Sequence, residues 1–215
     1  YTLSGWYTAA SGGTKVLDAS GNGTGTAVTN YTNASKQWVM TADQTLYAQW
    51  TINTYTVTYN SNKPANATSN VTGTTANSTH TYNEAKNLTV NGYSLAGWTF
   101  AGWNSKADGT GTNYTNGQSV TNLTTGTGTV TLYAKWTANT NVAYKVQHWQ
   151  LKVAGTEGTH NTTNYDLKDT ENLTGTADSQ VTPALKTYTG FEAEQSATQV
   201  TILGDGSLVV NYYYK

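Results

Sequence analysis

The heptapeptide Thr45-Leu46-Tyr47-Ala48-Gln49-Trp50-Thr51 returns as Thr131-Leu132-Tyr133-Ala134-Lys135-Trp136-Thr137, with one change, Gln49 to Lys135. Internal repetition constrains a fold more than any single motif, because each small unit must bury its apolar face alone or against a neighbour. Other signals recur in the same order. Tyr1-Thr2-Leu3-Ser4-Gly5-Trp6 matches Tyr93-Ser94-Leu95-Ala96-Gly97-Trp98, and Phe100-Ala101-Gly102-Trp103 repeats the theme once more. Turn-forming runs follow, Gly21-Asn22-Gly23-Thr24-Gly25-Thr26 in one copy and Asp108-Gly109-Thr110-Gly111-Thr112 in the other.

The repeated strings alternate with the two-residue period of a strand. Val130, Leu132, Ala134 and Trp136 share one face, and Thr131, Tyr133 and Lys135 the other. Tyr55, Val57 and Tyr59 likewise alternate with Thr54, Thr56 and Thr58. One apolar face and one wettable face fit an antiparallel sheet half covered by a core. Trp50 and Trp136 are therefore expected in the core, with Trp6, Trp98 and Trp103 capping it. Composition agrees. Charged residues are only 11% of the chain, but 12% aromatics and a net charge of −1 argue against disorder. The missing charge is replaced by Thr and Tyr, which favour strands, and by Asn and Gly, which favour turns.

Several function classes drop out at this level. All basic residues are lysines, 11 in number and thinly spread, so nucleic acid is not an expected partner. No apolar run reaches membrane-spanning length, so no membrane insertion is expected. The absence of cysteine rules out disulfides, thiolate chemistry and cysteine-based zinc sites. No signal peptide is visible; Tyr1 falls inside a module, and an export signal and an anchor are expected beyond this stretch.

Tyr55-Thr56-Val57-Thr58-Tyr59 opening a module, Gly92-Tyr93-Ser94-Leu95-Ala96-Gly97-Trp98 in its middle and Thr131-Leu132-Tyr133-Ala134-Lys135-Trp136 closing it resemble the Listeria–Bacteroides repeat, a family that includes the internalin B-repeats. The resemblance covers Tyr55 to Thr137 as a whole module and Tyr1 to Thr51 as the rear of another. It implies a β-grasp-like fold in modules strung along a bacterial surface protein. The sequence departs from the pattern twice. The middle module carries a doubled Gly-Trp segment, and the first lacks its opening strand. Either the chain starts part-way through a module, or a strand from a neighbouring chain completes the first sheet.

The last third changes character after Asn139-Thr140-Asn141. Val142, Tyr144, Val146 and His148 alternate with Ala143, Lys145, Gln147 and Trp149, and Gly204-Asp205-Gly206 between two apolar runs predicts a hairpin. Val146-Gln147-His148-Trp149, Leu173-Thr174-Gly175, Tyr188-Thr189-Gly190-Phe191 and the Tyr212-Tyr213-Tyr214 ending are similar to the mucin-binding-protein (MucBP-type) repeats. That resemblance implies host glycan or mucin as a partner.

Candidate chemistry is sparse. His80, His148 and His160 show no metal-ligand spacing; His148 reads as a strand residue, and His80 and His160 as loop residues. No Gly-x-Ser-x-Gly elbow exists, and the densest acidic group, Asp166, Asp169 and Glu171, reads as a solvated edge or loop. Asp18 and Asp108 open turns that lack the ligand string of a calcium loop. The many Asn-x-Thr sequons follow from composition, and nothing locates a Lys–Asn cross-link. The expectation is no enzyme, no cofactor and no metal. Exposed indoles stack on sugars, and strand phase makes Trp149 and Tyr213 the glycan-stacking candidates.

The chain is accordingly expected to be mainly β: small β-grasp-like (α+β) modules with very little helix in a tandem, elongated array. The expected boundaries are 1–52 for a partial repeat, 53–138 for a full repeat and 139–215 for a MucBP-like repeat. The expected role is a monomeric, extracellular stalk or spacer at the bacterial cell wall. Its partners would be neighbouring repeats and host glycan, mucin or a surface protein.

Overall fold

A computed structural model describes residues 1–215. The chain is mainly β, with seventeen strands and no helix. The first stretch holds β1 (Thr2–Tyr7), β2 (Lys15–Leu17) and β3 (Tyr47–Thr51). The middle holds β4 (Thr54–Asn60), β5 (Thr72–Gly73), β6 (Ser78–Thr81), β7 (Lys86–Asn87), β8 (Tyr93–Ser94), β9 (Trp98–Asn104), β10 (Asn113–Tyr114), β11 (Ser119–Val120) and β12 (Gly128–Ala138). The last stretch holds β13 (Val142–Leu151), β14 (Tyr165–Gly175), β15 (Gln180–Val181), β16 (Val200–Thr201) and β17 (Val209–Tyr214). Tyr1–Thr58, Asn77–Leu88 and Ser119–Val130 form one compact unit; Tyr59–Ala76, Thr89–Gln118 and Thr131–Lys215 form another.

In the first unit, β1 is the centre of a three-stranded antiparallel sheet ordered β2-β1-β3. Its buried apolar residues are few, Val16 and Val28. Elsewhere in that unit β4 pairs with β6, and β7 with β11. The alternation of Thr54–Asn60 works as read: Tyr55 and Val57 are buried while the threonines between them are not. His80 corrects its reading as a loop residue. It lies on β6, fully buried, with its ring stacked 5.4 Å from that of Tyr55. Alternation on a four-residue strand too short to show a period put it there.

In the second unit, β9 lies between β10 and β12 and is antiparallel to both. Its register reproduces that of the first sheet. Leu3, Gly5, Trp6 and Tyr7 face Trp50, Gln49, Ala48 and Tyr47, skipping Ser4. Phe100, Gly102, Trp103 and Asn104 face Trp136, Lys135, Ala134 and Tyr133, skipping Ala101. Both strands therefore carry a bulge of one residue at the same place. Each bulge is followed by a glycine with positive φ, 143° at Gly5 and 122° at Gly102. A Cβ there would meet the neighbouring strand's carbonyl oxygen, at 2.4 Å from Leu17 and 2.7 Å from Tyr114. Gly5-Trp6 thus corresponds to Gly102-Trp103, not to Gly97-Trp98 as the string match predicts.

The C-terminal sheet is ordered β14-β13-β17, with β14 antiparallel and β17 parallel to the central β13. Its core is Val142, Tyr144, Val146, Ala177, Ile202, Val210, Tyr212 and Tyr214. The expected hairpin at Gly204-Asp205-Gly206 does not form. The turn is there, with the Gly206 N–H donating to the Leu203 carbonyl at 2.9 Å and Gly206 at φ 75°. Yet β16 pairs with β15, while β17 runs beside β13. A strand committed to a parallel partner has left the chain it turned away from, and local turn chemistry does not register that choice.

Candidate functional site

The most distinctive built feature is a joint made twice in the same way. The register equates Thr2 with Thr99, and the repeated heptapeptide equates Asn53 with Asn139. In the first unit, the Thr2 hydroxyl donates to Asn53 Oδ1 at 2.6 Å, and the Asn53 carbonyl accepts the Tyr82 N–H at 2.9 Å. In the second unit, the Thr99 hydroxyl donates to Asn139 Oδ1 at 2.6 Å, and the Asn139 carbonyl accepts the Ala177 N–H at 2.9 Å. In each case an asparagine just past the closing strand is held by its own sheet through its side chain. Its backbone holds a loop of the stretch that follows.

The second joint has a further layer. Asp178, 7% exposed, accepts the Trp98 indole N–H at 2.7 Å and the Thr68 hydroxyl at 2.5 Å. Burial alone would raise its carboxyl. The Thr68 hydroxyl, the Trp98 indole and the backbone N–H groups of Thr68 and Gly204 outweigh burial and hold it below the ordinary aspartate value. Beside it, backbones meet directly: a Cβ on Gly97 would lie 2.5 Å from the Gly204 Cα, and one on Gly204 would lie 2.4 Å from the Ala96 carbonyl oxygen. Trp98 was expected to cap a core. It does pack against a core, but that of the C-terminal sheet, because its Gly-Trp pair is the one outside the bulge.

The second candidate is the outer face of the C-terminal sheet. Trp149 and Tyr213 are partners in the β13–β17 register, half-buried, with ring centroids 6.3 Å apart and planes 23° apart. The Trp149 indole N–H donates to Asn211 Oδ1 at 3.0 Å. His160, read as a loop residue, joins them: its ring lies face-on to Tyr213 at 3.8 Å. Tyr165 meets Tyr213 edge-on at 5.1 Å. Glu194 ties this cluster down, accepting the Tyr165 hydroxyl and lying 2.9 Å from His160 Nε2. Burial raises the Glu194 carboxyl, but these two hydrogen bonds and the charge of His160 outweigh it and lower its pKa. Tyr213 therefore has a ring face already covered by His160. No sequence pattern marks His160, which a loop folds back onto the sheet.

Residues 55–135 match the Listeria-Bacteroides repeat domain. A protein of Evansella cellulosilytica named as a Gly-rich membrane protein is 34% identical over 140 residues, covering 65% of this chain and 14% of its own length. A second protein of that organism, named as a membrane protein, is 36% identical over 102 residues, covering 47% of this chain and 14% of its own length. The chain thus spans a small part of the relatives it matches. No solved structure matches it. No helix is long and apolar enough to cross a membrane.

Within the repeat, Trp103 is fully buried, its ring 4.8 Å from Tyr59 and 4.9 Å from Phe100. Trp136 stands half-buried at the rim of its face, its indole N–H donating to the Ser61 carbonyl at 2.8 Å. Trp50, its counterpart, is 59% exposed, where a core residue was expected. The turn carboxylates are used locally. Asp18 Oδ1 accepts the N–H groups of Ser20 and Asn22, and Asp108 Oδ1 accepts the N–H and hydroxyl of Thr110. Lys135 and Asn113 meet through a hydrogen bond of 2.9 Å on exposed ground.

The acidic group of the last stretch lies on the edge strand β14, but only Asp166 behaves as a solvated face residue, 3.4 Å from Lys152. Asp169 accepts the Tyr188 hydroxyl at 2.6 Å. Glu171 lies 2.8 Å from His148 Nε2, whose Nδ1 lies 2.8 Å from the Tyr214 hydroxyl. The Tyr214 oxygen also accepts the Lys186 N–H at 3.0 Å. His148 is fully buried in this chain of hydrogen bonds. The network is a satisfied core bridge.

Proposed function

We propose that this chain is a non-catalytic repeat region of a bacterial surface protein, a stalk or spacer of tandem β modules outside the cell. The joint built twice carries the reading. A spacer must transmit position along the chain, and that calls for specific hydrogen bonds at each boundary rather than a loose linker. The Listeria-Bacteroides repeat match in the middle and the relatives named as membrane proteins support a surface location. The test is the stiffness of the joint. Spin labels placed on either side of Asn139 should give a narrow distance distribution that widens in Thr99→Val and Asn139→Ala. Equal widths in all three would remove the support. Small-angle scattering bears on the array itself: a radius of gyration near the roughly 17 Å of a rounded 215-residue domain would overturn it.

A second reading, glycan binding by the C-terminal stretch, is favoured by the half-buried Trp149 beside Asn211 and Gln147. An aromatic face flanked by neutral amides suits a polyhydroxylated, uncharged ligand. It accords with the resemblance to mucin-binding repeats. On a glycan array the wild type should retain glycans, Trp149→Ala should lose them, and Tyr213→Ala should weaken them by unseating the indole's neighbour. No retention by the wild type would leave the spacer reading alone.

A further inference from the structure

We propose that the middle repeat carries a binding site for an acidic saccharide, a pyranose ring bearing a carboxylate, in the cavity between the end of β12, the β9–β10 turn and the segment after β4. The cavity is about 330 Å³, at the small end of the about 300–1,000 Å³ typical of ligand sites, and all its lining residues belong to the second unit. Trp136 and Pro64 supply an apolar wall, Asn62 and Asp108 supply oxygens, and Lys63 and Lys135 supply positive charge.

These walls are fixed before any ligand arrives, which lowers the cost of binding. Asn62 Nδ2 donates to the Ala107 and Ala134 carbonyls, each at 3.0 Å, so one amide ties all three segments together. Asn104, fully buried, holds the turn from within. Its Nδ2 donates to the Gly109 and Gly111 carbonyls at 3.1 Å, and its Oδ1 accepts the N–H groups of Lys106 and Gly111. The Trp136 ring is seated by its indole bond to Ser61 and by Phe100, edge-on at 5.9 Å. This bracing uses donors and leaves acceptors: Asn62 Oδ1 and Asp108 Oδ2 have no hydrogen bond to another residue. Acceptors suit sugar hydroxyls, and an indole beside a proline suits the C–H face of the ring.

The charge is where the two repeats part. The one change in the heptapeptide puts Lys135 in the place of Gln49. Gln49 clamps its own turn, Nε2 donating to the Ala9 and Gly12 carbonyls at 2.9 and 2.7 Å. In the middle repeat that clamp has passed to Asn104, which by register stands where the first copy has Tyr7. Position 135 is thereby released to carry an amine at the cavity. Two amines against the single carboxylate of Asp108 leave the site positive, and a ligand carboxylate complements it.

The test uses the whole chain with sodium glucuronate as the probe, glucose as the uncharged ring and acetate as the bare carboxylate. Titration followed by two-dimensional NMR should move the Trp136 indole N–H signal and leave those of Trp50 and Trp149 in place. Glucose lacks the charge and acetate the stacking ring, and each should bind about five-fold more weakly or worse. Lys135→Gln, which installs the residue that the first repeat carries at this position, should keep the fold and bring glucuronate down to the level of glucose. Lys63→Gln, at an exposed side chain, should weaken glucuronate in the same direction. The proposal is overturned if glucuronate leaves the Trp136 signal unmoved, if glucose or acetate binds as well, or if both lysine variants bind like the wild type. Movement of the Trp149 signal in place of Trp136 would put the saccharide on the C-terminal sheet and overturn it equally.

Discussion

Replacing Asp178 by Asn isolates the charge at the second joint while keeping its shape. Asp178 has φ 56°, a left-handed conformation that Asn tolerates, so backbone strain is not the variable. The carboxylate accepts from Trp98 at 2.7 Å and Thr68 at 2.5 Å. A hydrogen bond to a charged acceptor contributes about 1.5–3 kcal/mol, against about 0.5–1.5 for a neutral one. The amide has a single oxygen, so one of the two donors also loses its acceptor. Relief from burying a charge offsets part of this, and the net loss is about 2 kcal/mol. Because the folded-state pKa lies below the ordinary 3.8, the carboxylate's contribution is complete above the unfolded value and disappears as pH falls through the folded one. Urea unfolding followed by tryptophan fluorescence should therefore show the loss at pH 7. The difference between wild type and Asp178→Asn should shrink below about pH 4. The Trp98 indole proton should move upfield as its acceptor weakens. A variant within about 0.5 kcal/mol of wild type at pH 7, with that proton unmoved, would refute the reasoning.

Three further outcomes follow from burial and close contact. Trp103→Ala should cost about 3–5 kcal/mol, while Trp50→Ala, on its exposed counterpart, should cost under about 0.5, both read by urea denaturation. Gly204→Ala drives a Cβ to 2.4 Å from the Ala96 carbonyl oxygen, so about 1–3 kcal/mol should be lost and hydrogen exchange at Ala177 should accelerate. His148→Ala leaves the Tyr214 hydroxyl and Glu171 without the imidazole and opens a buried space; thermal unfolding should show a loss of about 3 kcal/mol.

The strands were legible wherever alternation ran long enough. Thr54–Asn60, Val142–Leu151 and the closing Val210, Tyr212 and Tyr214 all face as their period dictates. Trp149 and Tyr213 were found by phase, and strand pairing set them side by side. What sequence missed was decided by partners distant in the chain. Trp50 and Trp136 have near-identical neighbours in sequence, and their different exposure comes from what covers them. The turn at Gly204-Asp205-Gly206 follows local rules, while the fate of its two arms depends on β13 and β15. His160 reached Tyr213 through a loop, which leaves no periodic trace.

The doubled Gly-Trp segment becomes intelligible once the bulge assigns the pairs. Gly102-Trp103 does the work of Gly5-Trp6: a glycine past the bulge, then an indole toward the core. Gly97-Trp98 is left over for the joint. By the same register Trp98 corresponds to Tyr1, and Tyr1 also reaches forward, its ring edge-on to Tyr82 at 6.2 Å. Each joint thus presents an aromatic residue, then a threonine whose hydroxyl holds the asparagine beyond the closing strand. What differs is what the aromatic residue meets, another ring in one case and a buried carboxylate in the other. The part belonging to the preceding sheet is therefore constant, and the following stretch adapts to it.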